Sequence, residues 1–277
     1  MGRLGTALNG MLSQIEAAFA ERMASESRLR RFVADASHEL RTPLTSIRGY
    51  AELLRKGAFD SDEARQRAAE RIEGEAARMT LLVDDLLLLA RLDQGRPLDR
   101  ARTDLRQVVA DAVDAAGVND SGHTVTLEGD RPVMVEGDAA RLRQIADNLL
   151  RNALVHTPAA TPVRVSVRTV GAHAVLRVSD EGPGLDAEQA ARVFDRFYRG
   201  SEARTGDGTG LGLSIVAALA AAHGGRATLE TSPGRGATFV VTIPAADLAP
   251  GAAPVTDGVT DRAPADPESP RAPAVRR

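Results

Sequence analysis

Leu29, Val33, Ala36, Leu40, Leu44, Ile47, Ala51 and Leu54 recur at spacings of three and four. That is the repeat of one apolar helix face. The stretch "KGAFDSDEA" breaks the period, with Gly57 as a stop signal and Asp60 or Ser61 as the cap of a new helix. A second periodic segment then runs to about Leu92, with Ile72, Met79, Val83 and Leu86 as its seam. Two long amphipathic helices joined by a short loop form an αα-hairpin. Such a hairpin cannot bury a two-sided seam alone, so the expected solution is a homodimeric four-helix bundle. Upstream, Leu4, Leu8, Leu12, Ile15 and Phe19 keep the spacing of a coiled-coil seam.

The first helix contains "VADASHELRTPLTSIRGYAELL", with a proline at position 43. Proline in a helix interior costs roughly 3 kcal/mol, because one backbone donor is lost and the ring crowds the preceding turn. At about 100° per residue, His38 falls roughly 160° from the seam centre and points to solvent. Thr42, four residues on, shares that outward face. A lone exposed histidine is most often a surface or capping residue. Its neighbours here argue for more. Glu39 can hydrogen-bond one ring nitrogen, orienting the other and raising its basicity. Pro43 leaves the Glu39 carbonyl without its helical donor and invites a bend. An oriented, exposed imidazole beside a loosened helix suits a nucleophile that is approached from several directions.

After a hinge at "QGRPLDR" (94–100) the texture changes. The pattern predicts a helix from Thr103, strands at "HTVTLEG" and "VMVEG", and a long helix from the cap Asp138 to "VHTP". Two strands, a helix near 187–198, a glycine-rich loop, a helix over about 210–223 and two closing strands follow. This is an α/β two-layer domain. From about 245 the chain is rich in Pro, Ala and Asp without periodicity and is expected to be disordered. A net charge of -3 argues against general nucleic-acid binding. The absence of cysteine excludes disulfides, thiol catalysis and cysteine metal sites. The longest apolar run, "LLVDDLLLLA", is far shorter than the roughly 18 residues of a membrane span and is broken by Asp84 and Asp85. No signal peptide is visible. The expectation is a cytoplasmic chain with no membrane segment of its own.

Three boxes in the second domain carry chemistry. "RQIADNLLRNALVHT" puts Asn148 and Asn152 on one helix face, and an amide oxygen is a hard ligand suited to Mg²⁺. "SDEGPGLD" sets Asp180 at a strand end before Gly182 and Gly184. A carboxylate there can accept from an adenine amine while the glycines let backbone come close. "GDGTGLGLSIV" puts Gly208, Gly210 and Gly212, with Thr209 and Leu211, at a helix N-terminus, where open amides receive phosphates. The run lacks the Gly-Lys-Ser/Thr ending of a P-loop and lies too late in the domain for a dinucleotide fold.

"HELRTPL", with His38, Glu39, Arg41, Thr42 and Pro43, resembles the phosphoacceptor motif of bacterial two-component sensor histidine kinases. The order of the later boxes resembles their catalytic ATP-binding domain, of the Bergerat type shared with gyrase and the large heat-shock chaperones. The segment "GRLGTALNGMLSQIEAAF" resembles the second helix of a HAMP signal-relay module. The resemblance implies a HAMP-like helix over 1–25, a dimerisation and phosphotransfer hairpin over 26–94, an ATP-binding domain over 100–245 and a tail over 246–277. It implies His38 as phosphoacceptor, Glu39 as base or orienting group, and Thr42 as holder of a water for a phosphatase reaction. It implies that Asn152 binds Mg²⁺, that Asp180 reads adenine, that about 186–208 is a lid over ATP, and that Phe194 and Phe197 form a phenylalanine box. Asn148 stands where hydrolytic relatives tend to carry a glutamate, which favours transfer to His38 over plain hydrolysis. Its partners would be a response-regulator receiver domain and a second copy of the chain, and its longer parent would be anchored in the bacterial membrane. Val155 and His156 depart from the family, which often has a cation and a tyrosine there. His156 is read either as lying against the nucleotide or as an ordinary helix-end histidine, and an arginine such as Arg151 or Arg199 would replace the missing charge. His123, His173 and His223 receive no chemical role. A phosphatase-dominant protein and a non-catalytic dimeric scaffold are the rival classes.

Overall fold

The computed structural model describes residues 19, 23, 33–119, 122–159, 161–200 and 209–246, without the side chains of 118 and 119. Most of the HAMP-like segment, Gly208 and the tail beyond 246 lie outside the described residues. The first helix, α1, is described over 33–55 and is continuous through Pro43. It ends at Gly57, whose φ of +65° permits a Schellman closure. There the Ala58 N–H donates to the Leu53 carbonyl (3.0 Å) and the Gly57 N–H to that of Leu54 (3.1 Å). Of the two expected caps, Ser61 begins α2 (Asp62–Asp93), its side chain accepting the Ala64 N–H at 3.2 Å.

The hairpin seam is only partly covered within the single chain. Val33, Leu44 and Val83, expected inside, are exposed in the single chain, while Pro43 is buried. On the helical wheel Pro43 lies beside the seam, so its ring is available for packing. The run "LLVDDLLLLA" is apolar on several sides of α2, and one side faces the α/β domain. Leu82, Leu88 and Leu89 are buried in the same core as Leu211, Ile215 and Leu219. An Arg196–Asp93 ion pair (2.8 Å) and an Arg100 bond to the Ala222 carbonyl (2.6 Å) fasten the same junction. The described residues up to 246 all belong to one compact unit, 1–247.

Asp85 sits half-buried on α2. Burial pushes its carboxyl from the ordinary 3.8 up to about 6, with Arg151 pulling it down and Asp84 adding to the rise. The folded state therefore holds this proton more tightly than the unfolded chain. Stability from this group is present at low pH and lost as pH rises from about 4 through about 6. Asp85→Asn is expected to stabilise the protein at pH 7.5 by about 1 kcal/mol after allowing for partial exposure, the gain shrinking toward pH 4. Thermal melts across that range would check it, and a variant less stable than the parent at pH 7.5 would contradict it.

The α/β domain opens with a strand that the sequence reading lacks, and the helix expected from Thr103 starts two residues later. β1 (Ala101–Asp104) pairs antiparallel with β3 (Met134–Gly137), and α3 (Leu105–Asn119) starts only after it. The Thr103 hydroxyl donates to the Gly137 carbonyl (3.2 Å), and Asp104 Oδ1 accepts the N–H groups of Arg106 and Val133 (3.0 Å each). A four-residue strand is too short to show alternation. The main sheet joins β2 (Thr124–Glu128), β4 (Pro162–Val170), β5 (His173–Asp180), β6 (Arg226–Thr231) and β7 (Ala237–Pro244). Its order is β2-β4-β5-β7-β6, with only β2 and β4 parallel. Val163, Val165 and Val167 alternate inward on β4, and Ala174, Leu176 and Val178 on β5. They pack under α4 (Ala139–His156), which buries Leu142, Ile145, Ala146, Leu149, Leu150 and Ala153 on one stripe. α3 and α6 (Gly212–Ala222) flank α4 in the same helical layer. The short helix α5 (Ala187–Arg192) stops earlier than the expected 198 and passes into turns.

Candidate active site

His38 and Thr42 are exposed on α1 and Glu39 is half-buried. The outward face read from the wheel is thus observed. The expected bond between Glu39 and the His38 ring is not formed among the described residues. Consecutive helical side chains point about 100° apart and do not face each other. The Thr42 hydroxyl reaches only the His38 carbonyl, at a long 3.4 Å.

The nucleotide boxes converge from three elements. On α4, Asn148 and Asn152 border the buried stripe. Asn148 Oδ1 accepts from Arg151 at 3.3 Å, and its Nδ2 is buried without a partner. The N-terminus of α6 lies directly opposite, since a Cβ on Gly212 would stand 3.3 Å from Asn148 Oδ1. That helix has no side-chain cap, so its first N–H groups stay open to an anion. Thr209 accepts the Leu211 N–H at 3.3 Å and shapes the approach.

Asp180 closes β5. Its Oδ1 accepts N–H groups from Gly182 (2.9 Å) and Ala237 (3.3 Å). Burial raises its pKa, and these bonds and nearby His156 oppose the rise. Gly184 has φ +68°, and a Cβ there would stand 2.1 Å from the Ser232 carbonyl oxygen, so only glycine fits. His156 ends α4 near Asp180; burial lowers its pKa, Asp180 raises it and Arg199 lowers it. The backbone brings Phe197 to Gly210, with its N–H donating to the Gly210 carbonyl at 2.9 Å. Phe197 adopts φ +61°, a strain of about 1–3 kcal/mol that surrounding contacts must hold. Phe194 instead packs edge-on against Phe239 at 6.2 Å, as a core residue.

His223, left without a role by the sequence, proves to be a structural joint. It is 3% exposed; Nδ1 faces the Leu219 carbonyl (2.8 Å) and Nε2 accepts the Asp138 N–H (3.2 Å). These contacts assign the neutral Nδ1–H form, in line with a pKa lowered mainly by burial. It ties the end of α6 to the start of α4, the two helices that carry the phosphate and amide boxes. Only tertiary contact reveals this. His123 lies just before β2, its Nε2 on the Thr157 carbonyl at 3.1 Å. On the open sheet face, a depression of about 370 Å³ bordered by Arg164, Arg168 and Arg177 lies apart from these boxes. Glu181 and Glu230 already neutralise two of its arginines.

The arrangement offers a carboxylate for a base amine, an orphaned buried amide, and an uncapped helix end for phosphates. These groups fit a nucleoside triphosphate. Residues 137–247 match the family described as histidine kinase-, DNA gyrase B- and HSP90-like ATPase, and residues 28–95 match the His Kinase A phospho-acceptor domain. The chain belongs to the sensor histidine kinases. Among these kinases it is 49% identical over 247 residues to a probable sensor histidine kinase, TcrY, of Mycobacterium tuberculosis, and 45% identical over 251 residues to TrcS of the same species. Each alignment covers 88% of this chain, but only 52% and 49% of those kinases, so it spans about half their length. The solved histidine kinase AdeS of Acinetobacter baumannii superposes with a TM-score of 0.63 at 26% identity, over 75% of this chain and 97% of AdeS. Full-length ShkA in complex with AMPPNP superposes at 0.55 and 30% identity, over 79% of this chain and 46% of ShkA. The helical hairpin followed by an α/β ATPase domain is the histidine kinase architecture.

Proposed function

We propose that this chain phosphorylates His38 from ATP and passes the phosphoryl group to an aspartate of a response-regulator receiver domain. The observation that carries the reading is the convergence of Asn148, Asp180 and the uncapped α6 N-terminus in a chain that also exposes His38. One imidazole nitrogen attacks the γ-phosphorus in line, the bond to the β,γ-bridging oxygen breaks, and ADP leaves. Catalysis in such transfers comes mainly from positioning and charge neutralisation. Glu39 acts as base or orienting group only after its side chain turns toward the ring.

Asn152 would hold Mg²⁺. When bound, the ion neutralises charge on the phosphate oxygens. Among the described residues no group of three or more His, Cys, Asp or Glu side chains could hold a metal ion. An ion shared between an amide, phosphates and water needs no such cage. Exposed Val33, Leu44, Leu53 and Val83 on the hairpin support dimerisation through a second copy. Among the described residues no helix is long and apolar enough to cross a membrane. A cytoplasmic site of action, with a longer parent anchored in the membrane, belongs to the same proposal.

Incubation with γ-labelled ATP and Mg²⁺ should leave acid-labile, base-stable label on the protein. Acid-stable label, or none under conditions where ATP binds, would contradict the reading. The loosely held Thr42 hydroxyl supports a second activity, water-mediated dephosphorylation of the regulator. Thr42→Ala should lower that rate at least tenfold while leaving His38 labelling within about twofold. Equal loss of both activities would contradict a separate role.

A further inference from the structure

We infer that Arg196 is a positioning residue for the phosphate end of the nucleotide site, held in place by Asp93 of the hairpin, so that ATP affinity depends on the ATP domain being docked against that hairpin. The inference rests on the ATP-binding reading and deepens it. Arg196 Nη2 donates to both carboxylate oxygens of Asp93, at 2.8 and 2.9 Å, across 103 residues of sequence. Asp93 is the last residue of the 32-residue helix α2. A carboxylate there faces the negative end of the helix dipole, so its own helix does not favour it. Gln94 and then Gly95, with φ +65°, lead the chain from it straight into the hinge. Among the described residues, the cation that meets this carboxylate comes from the other domain.

The next residue shows what the pair secures. Phe197 has φ +61°, in the left-handed region that a bulky side chain adopts only under constraint. Its N–H donates to the Gly210 carbonyl at 2.9 Å, and a Cβ on Gly210 would stand 3.0 Å from the Phe197 backbone. Gly210 leads into α6, which begins at Gly212 and offers its uncapped N–H groups to phosphate. The constrained turn at Phe197 thus sets the path of the chain into the phosphate site. Segment 192–198 is also knit by its own contacts. The Asp195 N–H donates to the Arg192 carbonyl (2.8 Å), the Tyr198 N–H to the Asp195 carbonyl (3.3 Å), and the Arg192 guanidinium lies 4.8 Å from the Tyr198 ring centre. Arg196 therefore fastens a preformed unit to the end of α2. When the ATP domain swings away from the hairpin the ion pair breaks, and Phe197 loses one of the constraints on its φ. Relaxation of Phe197 shifts Gly210 with it. Docking thus preorganises the phosphate site, and by reciprocity ATP strengthens docking. The pair is partly exposed, 31% at Arg196 and 55% at Asp93, which bounds its leverage on affinity at about fivefold.

The test is calorimetric binding of AMPPNP with Mg²⁺, whose imido bridge prevents transfer to His38, to the full chain. The parent is compared with Asp93→Asn, Arg196→Gln and the charge-exchanged chain Asp93→Arg/Arg196→Asp, with thermal melts as the fold control. Each single variant should bind about three- to fivefold more weakly. The charge-exchanged chain, which remakes the pair in reverse, should return to within about twofold of the parent. Single variants that bind as tightly as the parent would overturn the inference. So would a charge-exchanged chain as weak as the single variants, because damage unrelated to the pair is not repaired by exchange. If a single variant melts far below the parent, the charge-exchanged chain still decides. A parent that binds no AMPPNP at all would remove the nucleotide reading itself, and this inference with it.

Discussion

His38→Gln is expected to abolish covalent labelling from γ-labelled ATP completely, with nucleotide affinity unchanged. Glutamine keeps a polar, helix-compatible side chain at an exposed position, so the hairpin should fold as before. The amide cannot form the phosphoramidate. The chain has five histidines, so the remaining four bear on whether label could move elsewhere. His223 has both ring nitrogens occupied inside the core, and His123 has Nε2 on a carbonyl. His156 ends α4 near Asp180, in the α/β domain. His173 is exposed at the start of β5, in the α/β domain. Only His38 stands exposed on the hairpin helix. Residual label in His38→Gln, mapped by peptide digestion at neutral or basic pH, would identify another acceptor and refute the assignment.

Asp180→Asn is expected to weaken ATP binding roughly 10- to 100-fold, the range for losing a charge-assisted hydrogen bond. The substitution is nearly isosteric. Its single carbonyl oxygen can keep the N–H bonds from Gly182 and Ala237, which leaves the amide N–H₂ facing the base amine, donor against donor. The strand end should therefore survive while base recognition fails. Calorimetry gives the affinity and a thermal melt gives the control. A variant that melts like the parent and binds ATP equally well would show that Asp180 does not face the base.

Much of the architecture was legible in particular residues. The three-four spacing from Leu29 to Leu54 carried α1, and the stripe from Leu142 to Ala153 carried α4, because long amphipathic helices repeat their signal over many turns. The outward face of His38 and Thr42 followed from the same geometry. β1 was missed, its last two residues read as the start of α3, because four residues hold too little alternation to compete with the helical pattern beside them. The second apolar side of α2, which meets the α/β domain, was missed for another reason. Leu82 and Val83 are adjacent and equally apolar, and no local rule says which of them will meet α6.

Local order along the chain thus decided the element types, the face on which His38 stands and the residue kinds able to meet a nucleotide. Those properties depend on side chains a few residues apart. The tertiary structure decided which of those groups share a site. It brought the α6 N-terminus against Asn148 and joined Phe197 to Gly210. It locked His223 between two helices and set Thr157 beside Asp180. Each of these is a contact between segments distant in sequence, and burial, which sets both its energy and its pKa shifts, exists only once the layers have packed.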